Sequence, residues 1–454
     1  MSSKSHEMDL CSGSLWKKIF VYSIPLMFTN ILQVLFNMSD VAVVGKFAGP
    51  IALGAVGSTS ILVTLFTGIL LGLASGVNAL TALHIGSKDD EGVKRTVHTA
   101  VIICLAGGIL ITVFGILFSH NILALMSTKD ELIDGAVLYL RIYPLGMPAL
   151  GLYNFGNAVL SAAGDTKRPL YYLAFAGVVN VILNLFFVIV CHLGVAGVAL
   201  ASMISQFISA FLILRALLTG KEKYCLRLSE IRLDKRKAVG ILQIGIPSAF
   251  QYSLFAFANL FVQSSVNSFD HILVEGNSAA ANADPLVYDM MAAFYTACSS
   301  FIAQNFGAWK KKRILQTYLI CLFYSFITSL VLGVGIYLAR YPFLYLFTSD
   351  KAVVEAGITR LSIMALSYSA SAFMDASIAA SRGLGKTAVP TFVVVMGSCV
   401  FRIIWIYTIF AYFHTIQSLY ILYVFSWGIT AIAENIYFFH VYRHTLTGKT
   451  ESHL

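Results

Sequence analysis

Long apolar runs separated by short polar segments form the pattern of this chain. Twelve runs reach about 20 residues, the length of helix that crosses about 30 Å of hydrocarbon. The pattern therefore predicts twelve membrane-spanning helices, several of them long enough to tilt or to extend beyond the bilayer. Their predicted bounds are 17–45, 51–83, 95–119, 132–163, 168–191, 194–218, 238–266, 280–308, 314–339, 352–383, 388–413 and 417–443.

Composition supports a membrane protein. Mean hydropathy is +0.80, and 12% of the residues are charged, whereas a soluble chain carries roughly 25%. The fold class is therefore expected to be all-α integral membrane. The first apolar run is too long for the core of a signal peptide and is predicted to be a retained span. The cysteines are scattered singly without a CxxC pair, which favours buried structural cysteines over disulfides or a zinc site.

Basic residues concentrate in alternate connections between the runs. The connections after even-numbered runs carry clusters such as Lys310–Arg313, and the termini add Lys4 and Lys449. The odd-numbered connections contain only Lys46, Lys129, Arg340 and Lys351. Because positive charge marks cytoplasmic loops, both termini are predicted to face the cytoplasm from the cell membrane. The net charge of +9 is explained by these signals, and no nucleic-acid partner is expected.

A polar segment divides the runs into two related blocks of six. The predicted domains are an amino-terminal six-helix lobe at 1–218, a cytoplasmic linker at 219–237, and a carboxy-terminal six-helix lobe with a short tail at 238–454. A shift of 221 residues places Gly86 on Gly307, and a shift of 222 places Pro25 on Pro247. Since six is an even number, the lobes should insert with the same orientation, related by a pseudo-twofold axis along the membrane normal.

The first apolar run, IPLMFTNILQVLFNMSDVAVVG, contains the acidic residue Asp40. A charged group within hydrocarbon costs at least about 2.5–3.5 kcal/mol, so such a residue is by default a candidate functional group. Asn30, Gln33 and Asn37 precede it at helical spacing and predict a polar stripe that faces a cavity instead of lipid. The run therefore indicates a polytopic transporter whose first helix lines its cavity.

Three stretches resemble one transporter family. IPLMFTNILQVLFNMSDVAVVGKFAGPIALGAVG is similar to the first two helices of the multidrug and toxic compound extrusion (MATE) family. AAGDTKRPLYYLAFAGVVNVILNLFFV resembles its fifth helix and the preceding connection, and ANADPLVYDMMAAFYTACSSFIAQNFGAWKKKRI its eighth helix and following loop. The resemblance implies two six-helix lobes that alternate between outward-open and inward-open forms. It also implies export of organic, often cationic compounds in exchange for protons or sodium ions.

The resemblance further implies that Asp40 is the proton or cation residue of the amino-terminal lobe, with the fifth helix as its partner. Asn180 and Asn184 on that helix are four residues apart and share one face. Family members often carry an acid where this chain has Asn184, so Asp40 is left as the titratable group of the pocket. A low dielectric disfavours the charged form of a lone carboxylate, and Asp40 is expected to exchange a proton. Alternatively, Asp40 caps its helix or pairs with Lys46.

A second cation or substrate site is expected around Asp375, which the resemblance places at a carboxylate that some members use for sodium or drug binding. The repeat aligns Asp375 with Asn154. The other residues proposed for this site are Asp284 and Asp289 at the head of the eighth span and Gln251 and Asn259 on the seventh. Alternatively, Asp375 forms a salt bridge with Arg382, and the aspartates of the eighth span stabilise a helix N-terminus.

Two arginines, Arg141 and Arg360, are nearly equivalent under the repeat. Both lie one or two turns from predicted outer loops, and both are expected to extend to the lipid headgroups.

The GDTK and GLGKT strings lack the full spacing of a phosphate-binding loop, so nucleotide binding is not expected.

The sequence therefore predicts a secondary antiporter that exports organic, cationic compounds in exchange for protons, with sodium as the alternative coupling ion. No cofactor and no obligate protein partner are expected, and the predicted partners are small organic molecules and the lipid bilayer.

A related flippase for lipid-linked oligosaccharides is the alternative, although it should show a more basic central cavity. A membrane-embedded enzyme is disfavoured because HExxH, GxSxG and paired-aspartate motifs are absent from the spans. A channel is disfavoured because duplicated lobes with buried acids suit alternating access.

Overall fold

A computed structural model describes residues 7–126 and 128–447. Lys4 and Lys449, counted above among the basic residues of the termini, lie outside this part of the chain. The described residues form helices joined by turns, with no β-strand among them. Within the same ranges, twelve helices are long and apolar enough to cross a membrane. The predicted all-α membrane fold with twelve spans is confirmed.

The spanning helices are numbered here in chain order. They are α1 (Leu15–Phe47), α2 (Pro50–Gly86), α3 (Asp90–Leu125), α4 (Asp130–Ala162), α5 (Lys167–Val190), α6 (Gly194–Thr219), α7 (Lys235–Val266), α8 (His271–Gly307), α9 (Lys311–Leu338), α10 (Lys351–Gly383), α11 (Ala388–Phe413) and α12 (Ile416–Thr445). The largest departure from the predicted bounds is at α8, which begins at His271 instead of 280. This start is marked by Asp270, whose side chain caps the helix by accepting a hydrogen bond from Leu273 N at 3.0 Å.

Irregular turns interrupt several spans. A 3₁₀ turn at Tyr143–Gly146 divides α4, and α8 is divided at Asn282. The end of α5 is a π-helical turn at Phe186–Val190, and α11 contains two more, at Val395–Val400 and Ile406–Phe410. Such turns often lie near functional sites.

The described chain forms two compact units. The amino-terminal unit contains residues 24–253 and the described residues up to Asp9, and the carboxy-terminal unit contains residues 10–23 and those from 254 onward. The beginning of α1 therefore belongs to the carboxy-terminal unit, where Tyr22 OH donates to Ser300 Oγ at 3.0 Å. The first half of α7 belongs to the amino-terminal unit. The division into lobes at the linker stays a prediction.

Helix α7 begins against two glycines of α2. A Cβ atom built on Gly72 would overlap the backbone of Ala249, and one built on Gly76 would overlap the carbonyl oxygen of Ile241. The two backbones are therefore in direct contact, the arrangement that small residues four positions apart allow between membrane helices.

The polar segment 220–234 between α6 and α7 is packed onto the start of α3. The backbone N–H of Arg227 donates to His98 Nε2 at 3.0 Å, and that of Asp234 donates to Thr99 Oγ1 at 3.0 Å. Lys94 Nζ forms a salt bridge of 2.6 Å with Glu230, and the hydrogen bond from Lys94 lowers the pKa of that carboxylate. This segment is consequently held by the amino-terminal unit along much of its length.

Candidate ion and substrate sites

Asp40 lies near the end of α1, beside α5 and α6 of the same unit. Asn184 Nδ2 donates to Asp40 Oδ1 at 2.5 Å, and Ser202 Oγ donates to Asp40 Oδ2 at 2.9 Å. Asn184 Nδ2 also donates to Asn180 Oδ1 at 3.2 Å, and Asn180 Nδ2 donates to Ser202 Oγ at 3.4 Å. The structure thus brings together the three residues expected at this site and adds Ser202, which sequence reasoning missed. These four residues are called the Asp40 cluster below.

The Asp40 cluster contains an acid and only neutral donors. Among the described residues no salt bridge includes Asp40, and Lys46 Nζ instead lies over the Phe47 ring, 5.6 Å from its centroid. Asn184 is fully buried, and its Oδ1 atom accepts no hydrogen bond from the described chain. The cluster therefore has spare acceptor oxygens, which a proton or a small cation could occupy.

A cavity of about 270 Å³ opens at the Asp40 cluster. This volume is close to the lower end of the range for small-molecule sites, roughly 300–1,000 Å³. The predicted polar stripe of α1 contributes Gln33 and Asn37 to its wall, but Asn30 is not among the lining residues. Asn154 also lines this cavity, together with the rings of Phe36, Tyr139, Tyr143 and Tyr153. Polar and aromatic surfaces therefore alternate around a single acidic group.

Asp375 is buried on α10 in the carboxy-terminal unit. Its Oδ2 atom accepts no hydrogen bond from the described residues. Arg382 interacts with it electrostatically, but the two do not form a salt bridge within 4.0 Å. Asn154, its counterpart in the repeat, lies in the amino-terminal unit and lines the cavity of the Asp40 cluster.

Asp284 is bound to an arginine. Arg360 Nη2 donates to Asp284 Oδ2 at 2.6 Å, and Tyr368 OH donates to Oδ1 at 2.5 Å. The expectation that Arg360 extends to the headgroups is therefore wrong, because this side chain is 4% exposed and buried next to a carboxylate. Arg141, by contrast, is exposed. Arg360 and Asp375 are fifteen residues apart on α10, roughly 22 Å along the helix, which separates Asp284 from Asp375.

Asn259 accepts a hydrogen bond from a second buried arginine, Arg402. Arg402 Nη1 donates to Asn259 Oδ1 at 2.9 Å, Arg402 Nε donates to Ser426 Oγ at 3.3 Å, and the guanidinium carbon lies 4.6 Å from the centroid of the Tyr423 ring. The Asn259 oxygen is thus engaged by a cation of the protein itself. Gln251 is buried in the amino-terminal unit, and Asp289 is half-buried on α8. The structure therefore does not gather the residues proposed for the second site in one place.

The comparison with known proteins decides the family. The MatE family model matches the chain twice, at residues 25–186 and 247–408. The chain belongs to the MatE family. The two matches are 222 residues apart, in agreement with the repeat found in the sequence, and the predicted MATE relationship is confirmed. No group of three or more His, Cys, Asp or Glu that could hold a metal ion is found in the described part of this MatE protein.

Two curated relatives of this MatE protein are named as probable multidrug resistance proteins. The probable multidrug resistance protein YpnP of Bacillus subtilis is 31% identical over 307 residues, which cover 67% of this chain and 68% of YpnP. The probable multidrug resistance protein YoeA of the same organism is 28% identical over 364 residues, or 78% of each chain. The protein is therefore a multi-pass membrane transporter of the multidrug efflux type and not an enzyme, as the sequence predicts.

The fold is that of a solved transporter. A MOP superfamily transporter from Pyrococcus furiosus superposes with a TM-score of 0.91 at 22% sequence identity, covering 99% of this chain and 100% of that one. The repeated six-helix architecture expected from the sequence is therefore confirmed at the level of the fold.

Proposed function

We propose that this MatE protein is a secondary antiporter that exports organic cations in exchange for inward protons, and that Asp40 carries the coupling proton. The observation that carries this proposal is a carboxylate at the wall of a cavity that forms no salt bridge with any described basic side chain. A carboxylate placed in this way can be neutralised by a proton or by a cationic ligand, but it is not permanently neutralised by the protein.

Protonation of Asp40 would change how α1 is held to α5 and α6. The ionised carboxylate accepts hydrogen bonds from Asn184 and Ser202, and bonds to charged acceptors contribute about 1.5–3 kcal/mol, against about 0.5–1.5 for neutral pairs. A proton on Asp40 converts one acceptor oxygen into a donor. Rotation of the Asn184 carboxamide would then let its unpartnered Oδ1 accept a hydrogen bond from the protonated carboxyl group. The two protonation states therefore favour different arrangements of α1, which is the requirement for coupling.

The cavity wall suggests the class of substrate. A flat organic cation can pair with the Asp40 carboxylate and stack on the aromatic rings that line the same cavity. Proton and substrate would then compete for one acid, so binding of one favours release of the other. Sodium is the alternative coupling ion, and the amide oxygens of Asn180 and Asn184 are the ligands it would find beside Asp40.

We also propose that the protein lies in the cell membrane with both termini in the cytoplasm. This orientation is supported by the basic clusters of alternate connections, since positive charge favours the cytoplasmic side. Protons would then enter from outside, and substrates would leave the cytoplasm.

The experiment is efflux from proteoliposomes loaded with ethidium, with proton and sodium gradients imposed separately. Wild-type protein should respond to the proton gradient, and Asp40→Asn should abolish this response because the variant cannot exchange a proton at this position. Asp130→Asn is the matched control, since Asp130 is exposed on α4 and should leave efflux unchanged. Full proton-driven efflux in Asp40→Asn would refute the role of Asp40, and efflux driven by sodium alone would refute proton coupling.

A further inference from the structure

Two carboxylates lie in the interior of the carboxy-terminal unit. Asp375 on α10 is 6% exposed, and Glu434 on α12 is fully buried. Helices α10 and α12 pack along one another, and the two side chains interact electrostatically. Glu434, like Asp40, is an acid within an apolar run of the sequence.

Hydrogen bonds among three helices hold the two carboxylates at the same level. Asn435 Nδ2 on α12 donates to the carbonyl oxygen of Phe373 on α10 at 3.3 Å. Tyr318 OH on α9 donates to Asn435 Oδ1 at 2.5 Å and lies 3.0 Å from Ser377 Oγ on α10. Glu434 is adjacent to Asn435, and Asp375 is two residues from both Phe373 and Ser377, so their placement together does not depend on flexible side chains alone.

Neither carboxylate finds hydrogen-bond partners for all of its oxygens in the described chain. Both side-chain oxygens of Glu434 and the Oδ2 atom of Asp375 have no hydrogen-bond partner there. Tyr295 on α8 is also buried and interacts electrostatically with Asp375. An ionised carboxylate without donors is expensive in a low dielectric, and such a group is normally neutralised.

The charges around the pair are distributed unequally. Arg382, seven residues beyond Asp375 on α10, interacts electrostatically with Asp375, whereas the charged group that acts on Glu434 is Asp375 itself. Tyr437 on α12 is the ionisable neighbour of Glu434. Arg402 of α11 bonds to α12 more than two turns before Glu434. The negative charge of Asp375 is therefore partly offset by the cation Arg382. No described basic residue offsets a negative charge on Glu434.

We infer that Asp375 and Glu434 form a second proton-binding site, in which Glu434 holds the proton. Two buried carboxylates that repel each other in a low dielectric cannot both be ionised without compensation, and the charge of Arg382 acts on Asp375. The site is separate from the proposed role of Asp40, because it belongs to the other unit and involves no residue of the Asp40 cluster. Release of its proton would leave a buried negative charge that attracts a monovalent organic cation.

Infrared spectroscopy in an Asp40→Asn background tests this site without measuring transport. The full-length protein in lipid should show the carbonyl stretch of a protonated carboxylic acid at neutral pH, shifted in D₂O, and Glu434→Gln should remove it. Glu355→Gln is the matched control, since Glu355 is exposed on α10, and should leave the band unchanged. Asp375→Asn should change the pH at which the band disappears, because the two groups titrate as a pair.

Two outcomes would overturn the inference. One is a band of the same intensity in Glu434→Gln, which would mean that the proton lies elsewhere. The other is loss of the band when choline chloride is replaced by sodium chloride at constant ionic strength, which would identify a sodium site. If Glu434→Gln does not fold, Glu434→Asp serves instead: a shifted carbonyl frequency supports the assignment, and an unshifted one refutes it. Because Asp40 is absent from every sample, failure here leaves the antiport proposal intact.

Discussion

Three charged residues within the spans of this MatE protein have three different environments. Asp40 accepts hydrogen bonds from neutral side chains, Arg360 is paired with an acid, and Arg402 is held by neutral oxygens and a tyrosine ring. Only the first environment leaves the charge open to neutralisation by a ligand. The contrast supports the assignment of Asp40 to coupling and of Arg360 to structure.

Sequence reasoning succeeds at residues whose signal is local. Asp40 is conspicuous as an acid within an apolar run, and the spacing of Asn180 and Asn184 places both on one face of α5. Ser202 could not be found in this way, because serines are frequent in membrane helices and its bond to Asp40 joins residues 162 positions apart. Arg360 was misjudged for the same reason, since its carboxylate partner is 76 positions away.

The Arg360–Asp284 pair should be more sensitive to loss of the acid than to loss of the base. Asp284→Asn leaves the guanidinium buried without a counter-charge, whereas Arg360→Met leaves a carboxylate whose side chain is 38% exposed and can be hydrated. Removal of one partner of a buried pair costs about 3–5 kcal/mol at most sites. We expect Asp284→Asn to lower the melting temperature in detergent further than Arg360→Met does. An equal or opposite order would show that the pair is hydrated in the native state.

At the scale of elements, the existence of the spans was predictable because length and apolarity are sufficient to identify a membrane helix. The positions at which the spans are interrupted could not be predicted from the sequence. The division of α8 at Asn282 and the π-helical turns of α11 depend on packing with other helices, which a hydropathy profile does not contain. The prediction starts α8 at 280 because Glu275, Gly276 and Asn277 interrupt the apolar residues that follow the cap at Asp270.

The crossing of α2 and α7 gives a prediction about helix packing. Gly76→Ala should destabilise the protein by about 1–3 kcal/mol, because its new methyl group would overlap the backbone of Ile241. Gly57 is a control on the same helix, with open space around a built Cβ atom, and Gly57→Ala should be neutral or stabilising by up to about 1 kcal/mol. Thermal unfolding in detergent measures both. Equal effects of the two substitutions would contradict the proposed close contact.

The start of α7 gives a prediction about pH. The backbone N–H groups of Arg236 and Lys237 donate to Asp234 Oδ1 at 2.9 and 3.2 Å, and these bonds lower the pKa of Asp234 below its ordinary value. A depressed carboxyl pKa stabilises the folded state above about pH 4, and this contribution is lost as the pH falls through the lowered value. The attachment of α7 should therefore be insensitive to pH in the neutral range.

Hydrogen exchange at the beginning of α7 tests this cap. Asp234→Ala removes the acceptor, and loss of a cap costs about 1 kcal/mol. Exchange of the amides at 236–237 should then be about fivefold faster at neutral pH, whereas Asp234→Asn should be close to wild type because an amide oxygen also caps helices. Unchanged exchange in Asp234→Ala would show that contacts with α3 hold this segment without the cap.

At the scale of the whole molecule, the repeat predicted the duplicated fold because both halves keep the same spacing of glycines and prolines over long stretches.

The proposed orientation in the membrane can be tested with the native cysteines. Cys191 is exposed at the end of α5 and should react with a membrane-impermeant maleimide in intact cells. A cysteine at the exposed position Ser229, introduced as Ser229→Cys in a Cys191→Ser background, should react only after the membrane is opened. The reverse pattern would invert the proposed topology.

The beginnings of α1 and α7 have a consequence for how the duplicated gene can be divided. A polypeptide that stops between α6 and α7 lacks the helical stretch that covers Gly72 and Gly76, and one that starts there lacks residues 10–23 of the carboxy-terminal unit. Neither fragment therefore contains all the residues of one compact unit. Two co-expressed halves would therefore complete both units only if the end of a helix from each fragment packs in the unit formed by the other fragment.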